Sequence, residues 1–260
     1  MFTLEKVKKL SKTKILIPFR LNNDGNRLDN LNSVLAILES YHLDISIEII
    51  EQDVVQRLTN STFIFSDKEF NKSWALNFGV KKSINEGYDK VILWDADFIL
   101  EKQYLEKMIK DLDSYDCISP YDQKVTYLTT EQSKEFRSTL DLSYLETLPE
   151  RRELRAGTIP FAAGIIGFRS ESFKLIGGYN EEFFGWGGED DEVSIRIEKC
   201  LSSKCFLDGR SYHLYHKSPL TITSWKVSER IVNTSVKSKL DILNKSKETW
   251  DLLGLENKFR

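Results

Sequence analysis

The strongest constraint on this chain is the alternation of short apolar runs with stretches of helical periodicity in its N-terminal part. Residues 14–19 (KILIPF) form a near-continuous apolar run, as expected of a strand buried on both faces. Leu28, Leu31, Val34, Leu35 and Leu38 then recur at helical spacing, which predicts a helix over 27–41. A second strand is expected over 45–50 and a short third one over 62–65. A helix is expected over 70–85, with Trp74, Leu76, Val80 and Ile84 among its apolar positions, and another buried strand over 91–94 (VILW). Strands alternating with helices predict an α/β fold, a mostly parallel sheet covered by helices on both faces. Ligands of such sheets bind beyond the carboxyl ends of the strands, so the residues just after each strand matter most.

The second half is less regular. Residues 129–148 are charged with scattered leucines and are expected to be helical and partly exposed. Residues 161–168 read as an apolar, glycine-containing strand, and 177–188 as a loop of glycines with aromatics between them. A helix is expected over 189–200 and C-terminal helices over 226–253. No internal repeat or low-complexity linker divides the chain, and 260 residues suffice for one sizeable core.

Bulk properties exclude some functions. A net charge of -3 gives no electrostatic case for nucleic-acid binding. Cys117, Cys200 and Cys205 are read as free buried thiols in a reducing compartment, since the last two lack a trustworthy metal-pair spacing. Residues 1–14 are charged and lack a long apolar run, so no signal peptide is expected. Nothing approaches the ~20 apolar residues that span a bilayer. The sequons at Asn60, Asn71, Asn233 and Asn244 are read as chance matches.

Four clusters can carry chemistry. Asp95-Ala96-Asp97 directly follows the strand 91–94, where two carboxylates can face one Mg²⁺ or Mn²⁺ that bridges to a diphosphate. The competing reading is a solvated turn. Residues 183–192 (FFGWGGEDDE) place four acids after an aromatic-glycine run. The helix macrodipole accounts for one or two acids in a first turn, at ~0.3–1 kcal/mol each, but poorly for four. A carboxylate there, beside the flat face of Trp186, can take a proton from a sugar hydroxyl. His213 and His216 are candidate metal ligands. Residues three apart in an extended segment point to opposite faces, so one ligand is expected rather than two unless the chain bends. Arg20 and Asp53, each after a strand, are placed to meet a phosphate and a ribose or base. His42, closing the first helix, reads as structural.

In this order the motifs resemble the β-1,4-galactosyltransferase family and its bacterial relatives, which include galactosyl- and N-acetylgalactosaminyl-transferase domains of capsule synthesis. The matching stretches are IPFR (17–20), FNKSWALNFG (70–79), WDADFIL (94–100), FAAGIIGFRSESF (161–173) and GGYNEEFFGWGGEDDE (177–192), followed by His213 to His216. The resemblance implies a GT-A fold in one catalytic domain over 1–260. Its nucleotide-sugar half would span about 13–100, its acceptor and metal half about 101–220, and its C-terminal helices about 221–260. It implies inverting transfer from a UDP-sugar donor to a saccharide or lipid-linked saccharide, with UDP as product. Pro18, Arg20, Phe70 and Lys72 would lie against the nucleotide, and Asp95, Ala96 and Asp97 at the metal-diphosphate site. Asp97 and His216 would ligate Mn²⁺, or Mg²⁺ in its place, and His213 stands where the animal enzymes carry a methionine ligand. Phe161, Gly164, Trp186, Gly187, Glu189, Asp190 and Asp191 would contact donor or acceptor sugar, with Asp190 as catalytic base.

Departures from the family pattern carry expectations too. Ala163-Gly164 replaces a Gly-Gly pair, and Phe161 a common tyrosine, at a position that influences donor choice. Asn22 stands in the region of a second arginine of the animal N-terminal motif. The missing secretory stem and disulfides suit a cytoplasmic bacterial enzyme, with peripheral contact at the inner face of the membrane for a lipid-linked acceptor. A sugar nucleotidyltransferase and a non-catalytic nucleotide-sugar-binding protein on the same scaffold are the competing readings. The first lacks a glycine-rich phosphate loop here, and the second has no need of both aspartates and Asp190.

Overall fold

The computed structural model describes residues 12–21, 25–149, 161, 164–185, 187–217, 250–256 and 258, with the backbone alone for 122–124. Trp186, Asn22, Ala163 and most of the region expected to hold C-terminal helices lie outside the described residues.

The N-terminal alternation becomes β1 (Thr13–Phe19), α1 (Gly25–Ser40), β2 (Ser46–Asp53), β3 (Ser61–Phe65), α2 (Lys72–Asn85) and β4 (Lys90–Trp94). The chain continues through β5 (Phe98–Leu100), α3 (Lys102–Asp111), β6 (Cys117–Tyr127), α4 (Thr130–Thr139), α5 (Leu142–Glu146), β7 (Ile165–Arg169), α6 (Ser170–Leu175), α7 (Glu189–Cys200) and β8 (Lys204–His213). One eight-stranded sheet runs in the order β3-β2-β1-β4-β7-β6-β8-β5. The first four strands pair in parallel, while β4–β7, β6–β7 and β5–β8 are antiparallel. The strand order reverses around β1, and there the carboxyl ends of β1, β2 and β4 share one edge.

Pleat alternation explains why both faces are covered. Ile15 and Ile17 of β1 join Leu31, Val34 and Leu38 of α1 in one core, while Leu16 joins Trp74, Leu76 and Val80 of α2 in the other. The charged stretch 129–148 is helical as expected and holds two helices. Thr129 and Gln132 form a reciprocal capping box that opens α4, and Leu140, at φ 54, ends it. Asp141 then caps α5. The expected strand at 161 begins only at Ile165, and Phe161 stands in a turn before it.

None of the three cysteines is in a disulfide; Cys117 is buried, whereas Cys200 and Cys205 are half-buried. Asn71, in a sequon, is buried as the N-cap of α2, accepting from the Trp74 amide at 2.8 Å. Among the described residues, no helix is long and apolar enough to cross a membrane.

The C-terminal residues from Trp250 dock along α2. Trp74 Nε1 donates to the Leu255 carbonyl at 2.8 Å, and Lys81 Nζ to that of Leu253 at 2.6 Å. Buried Glu181 joins this tail to α2, accepting from Asn77 Nδ2 at 2.8 Å, the Gly254 amide at 2.6 Å and Lys258 Nζ at 2.6 Å. Removing a carboxylate that satisfies buried donors leaves each of them unpaired. Glu181→Ala is therefore expected to lower stability in urea by about 2–4 kcal/mol and to open the tail to carboxypeptidase. An unchanged urea midpoint would count against this latch.

Candidate active site at the carboxyl edge of the sheet

The site is built on the turn between β4 and β5. The Asp95 amide donates to the Gly164 carbonyl at 2.7 Å, and the Phe98 amide to the Asp95 carbonyl at 3.1 Å, closing the turn. Trp94 Nε1 donates to the Phe98 carbonyl at 2.9 Å from the buried side. The three residues of β5 then pair antiparallel with the end of β8, setting Phe98 opposite His213. One residue beyond the ladder, the Leu214 amide donates to the Asp97 carbonyl at 2.8 Å.

This pairing brings His213 to Asp97, and His216, three residues on, reaches the same carboxylate. His216 Nε2 lies 3.1 Å from Asp97 Oδ2, and His213 Nε2 lies 3.7 Å from Oδ1. Ligand atoms of all three residues fall within 4.8 Å of one another. The geometry departs from the expectation of a single imidazole: β8 ends at His213, so the opposite-face rule for a continuous strand does not reach His216, and the two ring centroids lie 5.2 Å apart. Burial pushes the Asp97 carboxyl up, but His213 and His216 outweigh it and hold the group well below the usual carboxylate range. Burial pulls the His216 imidazole down, and the Asp97 carboxylate outweighs it in the other direction. One carboxylate with two imidazoles, which ligate a metal in their neutral form, is an oxygen–nitrogen donor set. It fits Mn²⁺ and related borderline cations better than Mg²⁺, which prefers oxygen alone.

Asp95 does not join that triad. Its oxygens lie 2.8 and 3.0 Å from Lys72 Nζ, which also stands 3.3 Å from both oxygens of Asp190. Lys72 is placed there as the first residue of α2. Burial alone would pull its ammonium down, but Asp190, Asp95 and Glu189 together raise it well above the usual lysine range. Asp190 occupies the first turn of α7, whose N-cap is Gly188 at φ 93, a conformation that costs glycine little. Tyr179 Oη donates to Asp190 Oδ1 at 3.4 Å. Desolvation and the neighbouring Asp190 push the Glu189 carboxyl up to about 8.

The remaining expected residues divide. Arg20 and Asp53 face each other at 3.8 Å across the ends of β1 and β2, and Arg20 also donates to the Lys68 carbonyl. Pro18 is buried within β1 opposite Ile50. The Phe70 carbonyl accepts from the Gly185 amide at 2.9 Å, which ties the aromatic-glycine loop to the start of α2. Ala96 packs against the core, and Gly187 and Asp191 are half-buried at the mouth of α7.

Phe161 is a correction. Its ring stacks on Phe206 with centroids 4.4 Å apart and is 2% exposed, so it faces the core rather than a ligand. Gly164 likewise has a packing reason. At φ 114 its position leaves no room for a Cβ, which would lie 2.3 Å from the Phe98 ring. Residues that sequence reasoning missed include Tyr179 and Arg27. The charge of Arg27 is felt by both Asp97 and His216, and its buried Nε has no hydrogen-bond partner among the described residues. Its place in the first turn of the helix after β1 was the available signal, since helix N-termini attract anions.

A family model for glycosyl transferase family 2 matches residues 37–177, more than half of the chain. The chain belongs to glycosyl transferase family 2. A second model, described as the N-terminal domain of galactosyltransferase, matches residues 153–217 and so covers α7, His213 and His216. β-1,4-Galactosyltransferase 6 of Rattus norvegicus is 27% identical over 187 residues, covering 72% of this chain and 38% of that protein. A β-N-acetyl-D-glucosaminide β-1,4-N-acetylglucosaminyl-transferase of Lymnaea stagnalis is 27% identical over 246 residues, covering 90% of this chain and 39% of that protein. This family 2 chain thus spans less than half the length of these two relatives.

Among solved structures, Drosophila β-1,4-galactosyltransferase 7 in complex with manganese, UDP-Gal and xylobiose superposes with a TM-score of 0.53. The identity is 16%, over 84% of this chain and 79% of that one. The fold is the GT-A arrangement expected from the motifs.

Glu189 yields a test of the site's electrostatics. A carboxyl raised to about 8 from an unfolded value near 4.5 binds more protons in the folded state between those limits. Its contribution to stability is therefore present below pH 4.5 and lost as pH rises through 8. In metal-free protein, Glu189→Gln should melt close to wild type at pH 5 and a few degrees above it at pH 9. A melting difference that stays flat across this range would contradict the burial assigned to Glu189.

Proposed function

We propose that this chain transfers a hexose or N-acetylhexosamine, galactose or N-acetylgalactosamine in the first instance, from a UDP-sugar to a saccharide hydroxyl with inversion. The observation that carries the reading is one sheet edge holding both a carboxylate–diimidazole triad and, across Lys72, a buried aspartate at a helix N-terminus, in a chain of glycosyl transferase family 2.

Asp190 is the base. Its carboxylate takes the proton of the acceptor hydroxyl as that oxygen bonds to the anomeric carbon and the bond from that carbon to the UDP oxygen breaks. Lys72 and Tyr179 hold Asp190 in one orientation, so proximity rather than intrinsic basicity supplies much of the rate. Arg20, just after β1, and Arg27, in the first turn of α1, would offset the charge of a diphosphate at this edge. Bound by Asp97, His213 and His216, Mn²⁺ would add Lewis-acid stabilisation of the charge on the departing diphosphate. The Mn²⁺, UDP-Gal and xylobiose of the Drosophila complex support the donor, metal and acceptor classes. The resemblance to capsule enzymes supports a place in bacterial surface polysaccharide synthesis, with a lipid-linked acceptor reached from the cytoplasmic face of the membrane.

The experiment is UDP release from a panel of UDP-sugars, with and without Mn²⁺ and with saccharide acceptors. UDP-Gal or UDP-GalNAc should turn over only with both metal and acceptor. Asp190→Asn should lower kcat by about 10²–10⁴-fold while UDP still binds. Full turnover by that variant would remove Asp190 as base, and silence of wild type across the panel would favour a binding protein.

A further inference from the structure

His213 and His216 both meet Asp97 although β8 ends at His213, and the backbone that carries His216 there has identifiable anchors. The His213 carbonyl is still held by the Leu128 amide, at 2.9 Å, and the Leu214 amide by the Asp97 carbonyl. The next residue, Tyr215, has left the ladder with β5, and side chains take both of its backbone groups. Its amide donates to Ser133 Oγ, on α4, at 2.7 Å. Its carbonyl accepts from Asn30 Nδ2, on α1, at 3.1 Å. Asn30 and Ser133 are both fully buried. Asn30 is in turn fixed by Arg137 of α4, whose Nη1 donates to Asn30 Oδ1 at 2.8 Å and whose Nη2 donates to Asn26 Oδ1 at 3.1 Å.

We infer that Asn30 and Ser133 are positioning residues for the metal triad. They clamp the peptide groups on either side of Tyr215 and so direct the His216 imidazole onto Asp97. The inference rests on the reading of Asp97, His213 and His216 as the cation site. Buried side-chain amides and hydroxyls seek partners, and here the partners are the two backbone groups that a departing strand end would leave unpaired. A clamp one residue from a ligand acts as partners behind metal ligands do, where substitution typically costs about 10–100-fold in metal affinity. Helix packing alone would make these residues matter for stability but not for the geometry around a bound ion.

The test uses the full chain, metal-free, titrated with Mn²⁺ and followed by the electron paramagnetic resonance of the free ion. A parallel titration with Co²⁺ reads the coordination geometry through its visible d–d absorption. Asn30→Asp keeps the acceptor for Arg137 and loses the donor to Tyr215, Ser133→Ala loses the acceptor for the Tyr215 amide, and Asp97→Ala is the control. Asn30→Asp and Ser133→Ala should each weaken Mn²⁺ binding about 10–100-fold and change the Co²⁺ spectrum, with circular dichroism unaltered, while Asp97→Ala abolishes binding. If Asn30→Asp does not fold, Ser133→Ala decides, since it removes a single oxygen. A folded variant with wild-type affinity and spectrum removes that residue from the role, and if both behave so while Asp97→Ala fails to bind, the inference is overturned and the metal reading stands. If Asp97→Ala binds like wild type, the metal reading fails and the inference with it.

Discussion

The site depends on the pairing of β5 with the end of β8. Only three residues long, β5 carries the backbone straight from Asp97 into an antiparallel ladder with the strand that ends at His213. A β-ladder fixes register, and a slip of one residue would turn every side chain to the opposite face. Held in this register, Asp97 and His213 are neighbours without any long-range search by flexible side chains. The Gly164 carbonyl on the Asp95 amide and the Phe98 ring against Gly164 lock the turn from the other side.

A second organising feature is how the acids of α7 are divided. Four carboxylates in one helical turn would repel one another, and the macrodipole offsets only part of that. Each has a different solution. Asp190 meets the ammonium of Lys72, and Glu192 accepts from Arg196 Nε at 2.8 Å. Glu189 is pushed toward its neutral form by burial, and Asp191 is half-buried at the mouth of the helix. Lys72 therefore does two things. It pairs with Asp95, which stands apart from the triad, and it pairs with Asp190 at the start of α7.

The parallel half of the sheet was legible because burial imposes periodicity on short runs, as KILIPF and VILW show. Glu189 to Cys200 was legible for the same reason, with acids at its start and a glycine as its cap. The mixed half was not. β6 contains Pro120 and shifts register against β8, and β8 carries Asp208, Gly209 and Arg210, so neither shows clean alternation. β5 is too short to have a period. The spacing rule that favours one imidazole over two assumes a continuous strand, whereas β8 ends at His213 and the backbone of Tyr215 is held by Asn30 and Ser133, which are remote in sequence. The motif containing Phe161 and Gly164 was readable, but both residues turn out to serve packing in this structure. Arg20 and Asp53 were each expected to meet a ligand and are found facing each other.

The claim most worth testing is that Asp97, His213 and His216, rather than the paired aspartates, hold the metal. Crystals grown with Mn²⁺ and UDP, measured on both sides of the manganese absorption edge, locate the ion directly. The account predicts one anomalous peak bounded by Asp97 and the two imidazoles, with Asp95 still on Lys72. A peak between Asp95 and Asp190, with the histidines turned away, would contradict it.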